Sequence, residues 1–542
     1  MEPFIPLRIG NPFKIRKIIF EFILIAPLIF GSRLSLITPQ PASSFSPDED
    51  STHPPYKSLN HHASIITGKR IEYPLTVEET FFLSEKGERA ASIVSKSYER
   101  TDNPESEMVH RPVIFAFNGG PSFSSVWLHM GLLGPKRVML QDGGAEEGKI
   151  LTPCWMWLRL CFSTLRGMGF SRMLGEGNEH FFSGVQQDAR VTCEFIEGWI
   201  ERNESWNSLK FLMGESYGTV RAAVVARMLA GGTFETGRMD ALTINGVILL
   251  GKAMNLSGAR FGDTNFINVL PKIVDSAWYH GKLEAKTSSL EEHVEKGCYF
   301  AADEYLRALY KGSALTPEGK NNIVRRLSEL TGLSPEFILE KNLRLDAHSF
   351  SKELIREEGK QLGLYDGRFT LPLSPSGQDH VSDVPAMGQY APAFGAALNE
   401  YLKKKIKVAI NLTYNALDFK EVNARWGNRF VPGVHVPSKN YAEDISIALR
   451  RNSSLRLFIG TGYFDLLTTI GSAEYTLKHI EIDLDRVYFK CYRSGHMPYI
   501  GASSWRLLAE DLREFITSLS LSQKEKSQIK RERGFSGNLS KE

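Results

Sequence analysis

A short apolar run at residues 209–213 enters Gly214-Glu215-Ser216-Tyr217-Gly218 with no intervening loop, and a helical pattern follows through residues 222–229. This strand–turn–helix order constrains the chain more than any other feature. A serine placed there sits on a tight, strained turn with its hydroxyl exposed, and the flanking glycines leave room where a Cβ would clash. The pattern alone is a weak signal in a sequence rich in Gly and Ser, and its neighbours give it weight. The bland alternative is an ordinary Gly-Ser turn between a strand and a helix.

Other short apolar runs repeat the theme. Residues 113–117 end in Asn118-Gly119-Gly120-Pro121, and residues 242–250, 455–459 and 487–491 are similar β-rich runs. Short buried strands separated by helices predict an α/β fold, a mostly parallel central sheet with helices on both faces. Between about residues 256 and 437 the character changes: residues 320–330, 335–340 and 351–362 show helical periodicity and heavy charge, the pattern of an inserted, mainly helical cap. The expected organisation is a leader or anchor with linker over 1–45, a core over 46–255, the cap over 256–437, the rest of the core over 438–520, and a basic polar tail over 521–542. Within this scheme residues 46–70, rich in Ser, Pro and His, read as a linker.

A serine hydroxyl is a poor nucleophile at neutral pH and needs a base held by an acid, which this fold supplies in the order Ser, Asp or Glu, His. Asp465 follows the run 455–459 and the turn Gly460-Thr461-Gly462-Tyr463, and His496 follows the run 487–491. Each alone is an unremarkable loop residue; order and placement together single them out. The Gly119-Gly120 turn can aim one backbone N–H at an oxyanion, and the Tyr217 amide, next after the nucleophile, can supply a second.

Four blocks now stand in order: Asn118-Gly119-Gly120-Pro121, Gly214 to Gly218, Gly462-Tyr463-Phe464-Asp465-Leu466 and Gly495-His496-Met497-x-Tyr499. Over roughly residues 70–515 the chain resembles the serine carboxypeptidases of the α/β-hydrolase superfamily. Trp127-Leu128-His129 and Gly218-Thr219-Val220-Arg221 bring it nearest the cysteine-poor branch common in bacteria and fungi. The resemblance implies an exopeptidase that removes C-terminal residues from peptides, with Ser216 as nucleophile, His496 as general base and acid, and Asp465 orienting it. It also implies an oxyanion hole from the Gly120 and Tyr217 amides, and Asn118 and Glu215 holding the substrate's terminal carboxylate. Two carboxyl groups sharing a site cannot both ionise cheaply, so substrate binding is expected to favour acidic pH.

The sequence departs from the family twice. Ser122 and Phe123 replace the small residues usual after Gly-Gly-Pro, which either crowds the oxyanion loop or reshapes the pocket wall. Before Gly167, the family's strand with its Asp-Pro turn is replaced by a segment running from Cys154 to Leu165. Read two bases on, the codons for Cys154-Trp155-Met156-Trp157 spell Leu-Asp-Val, and later codons permit Asp-Pro. About residues 154–166 are therefore read as out of frame, with a divergent strand as the alternative. This segment motivates a competing reading as an inactive homologue; esterase or acyltransferase chemistry on the same scaffold is another.

Composition excludes other classes. A net charge of +3 over 542 residues gives no nucleic-acid footprint, and the basic run 524–533 reads as a solvated tail. Five cysteines without CxxC spacing argue against a zinc site or a dense disulfide framework, leaving one bridge or buried free thiols. No cofactor and no metal is implied, and the oligomeric state is not legible. Arg8, Lys14, Arg16 and Lys17 precede the apolar stretch 18–30, the order of a secretory signal and short for a membrane span. The expected location is thus secreted or periplasmic; an uncleaved anchor and a misassigned start are the alternatives.

Overall fold

The chain enters as an antiparallel meander of β1 (Lys57–Ile66), β2 (Lys69–Leu83) and β3 (Arg89–Tyr98). The computed structural model describes residues 54–520 except 67–68, 85, 102–110, 142–143, 152–158, 165–166, 176–182, 232–241, 255–261, 284–288, 374–384, 411 and 419–439. The leader and tail expected at the two ends lie outside the described residues. The strand β1 corrects the linker reading of residues 46–70: its ten residues pair in register with β2. An edge strand takes its stability from a partner far along the chain, so its polar composition hid it.

Next come β4 (Val113–Phe117), the hairpin β5 (Arg137–Gln141) and β6 (Gly144–Leu151), β7 (Arg159–Thr164) and the two-residue β8 (Arg172–Met173). Helix α1 (Val185–Arg202), β9 (Lys210–Glu215), α2 (Tyr217–Leu229) and β10 (Gly246–Leu250) follow. The run 242–250 is a strand only from Gly246 onward. After β10 come α3 (Asp263–Tyr279), α4 (Leu290–Phe300), α5 (Leu306–Lys311), α6 (Pro317–Thr331), α7 (Pro335–Glu340) and α8 (Ala347–Glu353). The pair β11 (Lys360–Leu362) and β12 (Thr370–Pro372) and helix α9 (Pro385–Glu400) complete this stretch. The helix expected over 351–362 is instead the end of α8, a turn and β11; Gly359, with φ of 68°, turns the chain there. The last elements are α10 (Ala442–Arg451), β13 (Arg456–Gly462), α11 (Ile470–His479), β14 (Val487–Tyr492) and α12 (Ala502–Ser520).

The main sheet runs β1-β2-β3-β7-β4-β9-β10-β13-β14, and every pairing from β7 to β14 is parallel. This is the mostly parallel α/β sheet expected from the sequence. Alternation along the strands divides the core. Ile114, Phe211, Ile248 and Phe458 face one apolar layer with Leu508, Leu512 and Phe515 of α12. Their neighbours Phe115, Leu212, Leu249 and Leu457 face the other, with Phe195 and Trp199 of α1 and Val224 of α2. A strand buried on both faces must be apolar throughout, which is why β4 reads Val-Ile-Phe-Ala-Phe.

Of the aberrant segment, residues 159–164 are described and form β7. Strand β7 pairs parallel with β4 and antiparallel with β3, and Leu160, Cys161 and Phe162 are buried. Arg159 at its start is buried too, 2.5 Å from Glu99 and bonded to Ser205. Cys161, Cys193, Cys298 and Cys491 are free thiols, and Cys154 lies outside the described residues.

Candidate active site

In the sheet, β7 lies on one side of β4 and the later β9 on the other, so the strand order reverses between β4 and β9. Loops leaving the carboxyl ends of such strands part and open a crevice. Asn118 to Gly120 leave β4 at this point and Ser216 leaves β9. Both loops line a cavity together with Glu215, Phe123, Trp127, Tyr365, Met387, His496 and Met497.

The turn at Ser216 is strained. Its φ of 57° and ψ of −125° are costly for a residue with a side chain, and the surroundings enforce them. The Ser216 amide donates to the Leu250 carbonyl at 2.9 Å, tying the turn to the next strand. A Cβ on Gly214 would lie 2.0 Å from the Gly218 carbonyl oxygen, and one on Gly218 would lie 2.5 Å from that of Phe117. The β4 turn is equally close: a Cβ on Gly119 would come 2.6 Å from both Ser216 Cβ and the Tyr217 nitrogen. The amides assigned to the oxyanion, those of Gly120 and Tyr217, thus belong to two loops in direct contact.

Asp465 follows β13 and His496 follows β14. His496 Nδ1 lies 3.0 Å from Asp465 Oδ2, and its Nε2 is buried without a hydrogen-bond partner among the described residues. Asp465 Oδ1 accepts from the Leu467 and Thr468 amides at 2.8 and 2.9 Å, while the Thr468 hydroxyl bonds Oδ2. Tyr365 sets its ring edge-on to the imidazole, with centroids 4.8 Å apart. Burial opposes the carboxylate of Asp465, yet Lys272 and His496 hold it well below the usual range. Burial likewise opposes charge on His496, but Asp465 and then Glu215 raise its pKa above the ordinary imidazole value.

Glu215 is buried, and its Oε2 accepts from the Tyr499 hydroxyl at 2.6 Å. Burial pushes its carboxyl up to about 7, although hydrogen bonds from Tyr499 and Asn118 and the nearby His496 oppose this. Asn118 is held in turn: its Oδ1 accepts from the Leu128 amide at 3.0 Å. Beneath the turn, Arg221 Nε and Nη2 reach the two oxygens of Asp188 at 2.7 and 3.0 Å, and its Nη1 donates to the Asn118 carbonyl at 3.2 Å.

All seven residues singled out from the sequence meet here: six line the cavity or adjoin it in the turn, and Asp465 stands behind His496. Phe123 forms part of the cavity wall, its ring 6.4 Å from Trp127. Sequence reasoning gave no role to Tyr499, Trp127, Thr468, Lys272, Tyr365 or Met387. Tyr499 and Trp127 stood inside motifs already noted; Lys272, Tyr365 and Met387 come from distant segments with no local mark. Among the described residues no group of three or more His, Cys, Asp or Glu side chains gathers as a metal site would need.

The sequence profile of the serine carboxypeptidases matches residues 97–502. The chain belongs to the serine carboxypeptidase family. As a serine carboxypeptidase it is a hydrolase of the α/β-hydrolase fold, and peptides are its substrate class. A search of curated protein sequences finds no match. Similar solved structures include a prohormone-processing carboxypeptidase from Saccharomyces cerevisiae, 15% identical, covering 82% of this chain and 91% of that one at a TM-score of 0.49. A carboxyl esterase from Bacillus coagulans is 10% identical, with coverage of 82% and 99% and a TM-score of 0.35. A proline iminopeptidase from Mycobacterium smegmatis is 8% identical, with coverage of 81% and 98% and a TM-score of 0.33.

Proposed function

We propose that the protein releases C-terminal residues from peptides through an acyl-enzyme on Ser216, and does so best at acidic pH. The observation that carries this reading is the His496–Asp465 pair at 3.0 Å, whose ring leaves Nε2 without a partner among the described residues, beside the cavity that Ser216 lines. His496 Nε2 takes the proton of the Ser216 hydroxyl as that oxygen attacks the scissile carbonyl. Asp465 fixes the tautomer and balances the imidazolium that forms. The Gly120 and Tyr217 amides receive the developing oxyanion. His496 then passes its proton to the leaving amine, and water repeats the attack on the acyl-enzyme.

Exopeptidase selectivity comes from the carboxylate end. A substrate carboxylate set against Glu215 and Asn118 needs Glu215 protonated, because two adjacent carboxylates repel in a buried site. With the Glu215 pKa raised to about 7, that proton is present in acid and lost above neutrality. The basic and apolar leader before residue 45 fits export of such an enzyme, and the helical stretch of 256–437 fits a cap over the crevice.

Labelling with a fluorophosphonate tests the nucleophile: the wild type is expected to label and Ser216→Ala to remain unlabelled. Release of the last residue from N-blocked dipeptides, compared with hydrolysis of simple esters, tests the exopeptidase assignment. An enzyme that turns over esters and leaves dipeptides intact would overturn it.

A further inference from the structure

The carboxylate of Asp465 has a partner beyond histidine and hydroxyl. Lys272, in the middle of α3, places its Nζ 3.7 Å from Asp465 Oδ2, and both side chains are fully buried at 0% exposure. The same Nζ donates to the Thr468 carbonyl at 3.0 Å. Thr468 in turn sets its hydroxyl against Asp465 Oδ2 and 3.1 Å from His496 Nδ1. One carboxylate oxygen therefore meets an imidazole, a hydroxyl and an ammonium.

We propose that Lys272 is a positioning residue for the reaction: an ammonium carried in from α3 that fixes the carboxylate of Asp465 and tunes the base strength of His496. The proposal rests on the reading of Ser216, His496 and Asp465 as the catalytic set. A cation buried beside the acid stabilises the carboxylate without using the oxygen positions that the Leu467 and Thr468 amides hold. It also repels a proton on His496, partly cancelling the attraction of Asp465. His496 then stays a free base at lower pH than a lone Asp–His pair would allow, which suits an enzyme that needs Glu215 protonated at the same time.

Among the described residues, few other titratable groups face this centre. Asp275, one turn further along α3, is buried with Oδ2 unpartnered among the described residues, and burial holds its carboxyl well above the usual range. Cys491 of β14 faces Lys272, and burial pushes its thiol up to about 12, so it is neutral in the working range. Glu215 and Tyr365 face His496 from the cavity side. Burial lowers the Lys272 pKa from its ordinary value, and the Asp465 carboxylate opposes that shift.

The test is the pH dependence of fluorophosphonate labelling at Ser216, because the probe has no terminal carboxylate and so bypasses the substrate role of Glu215. Lys272→Gln keeps a donor for the Thr468 carbonyl but removes the charge; Lys272→Arg keeps the charge. The Gln variant is expected to raise the midpoint of the acid limb by about one pH unit, so that labelling on that limb falls about tenfold, while the Arg variant stays near wild type. Equal midpoints for the Gln variant and wild type, with wild type labelling normally, would overturn the proposal while leaving the catalytic reading intact. A wild type that never labels would sink the catalytic reading itself. Should the variants not fold, the ¹⁵Nζ shift of Lys272 in the native protein decides: an ammonium between pH 5 and 7 is expected, and a neutral amine refutes the role.

Discussion

Tyr499 and Glu215, 284 positions apart in the chain, share a buried 2.6 Å hydrogen bond at the edge of the cavity. Tyr499 lies in the loop after β14 and Glu215 is the last residue of β9, so the residue before Ser216 is held by one that follows His496. With the proposed substrate carboxylate on its other side, this buried carboxyl must change its proton inventory with pH.

Glu215 has its folded pKa raised to about 7, so the native state binds more protons than the unfolded chain between the ordinary carboxyl value and 7. Its contribution to stability is therefore present in acid and falls as pH rises through this window. KM for an N-blocked dipeptide should rise as pH passes about 7, and Glu215→Gln should flatten both that rise and the matching loss of melting temperature. A wild-type KM constant from pH 5 to 8 would contradict the carboxyl-pair reading.

Tyr499→Phe removes the donor and nothing else. Because that hydrogen bond lowers the Glu215 pKa, its loss moves the rise in KM to higher pH. Stability should fall by about 1 kcal/mol, with the buried carboxyl less well satisfied. Denaturant melts and the KM profile measure the two effects separately.

Asp465→Asn should leave the backbone intact, since Oδ1 still accepts from the Leu467 and Thr468 amides. The ring of His496 then lacks its anionic partner and favours the wrong tautomer. A loss of about 10⁴ in kcat with KM little changed is expected, as for other triads of this chemistry. Steady-state kinetics on one peptide and one ester should show the same factor.

The Arg221–Asp188 pair tests the support beneath the turn. Both side chains are 5% exposed, and Arg221 also holds the Asn118 carbonyl. Arg221→Ala leaves a buried carboxylate uncompensated and should cost about 3–5 kcal/mol, whereas a paired replacement of both residues by apolar ones should recover much of that loss. Thermal unfolding of the two variants checks it.

What was legible in the sequence is what short segments specify. The runs that became β4, β9 and β13 are apolar because each strand is covered on both faces, and burial of that kind leaves its mark on consecutive residues. The turn at Ser216 was legible because backbone contacts too close for any Cβ demand glycine at both ends. Asp465 and His496 could be placed because this fold puts them at strand ends in a set order. The seven residues singled out in the sequence lie together in the fold, six at the cavity or in its turn and Asp465 behind His496. Strand β1 did not, because an edge strand needs no apolar run of its own and is defined by the hydrogen bonds of β2. The helix expected over 351–362 failed because periodicity cannot register a left-handed glycine turn. Segment 154–166 lacks the family's turn, yet β7 sits between β3 and β4 because Leu160, Cys161 and Phe162 still supply the apolar contacts that the sheet needs. The surroundings of these residues were decided only by tertiary structure. Lys272 joins Asp465 across 193 positions, and a solitary lysine in an amphipathic helix looks like any solvated one until the helix is packed. Burial and charge pairing between distant segments are properties of the assembled fold, so no local pattern announces them.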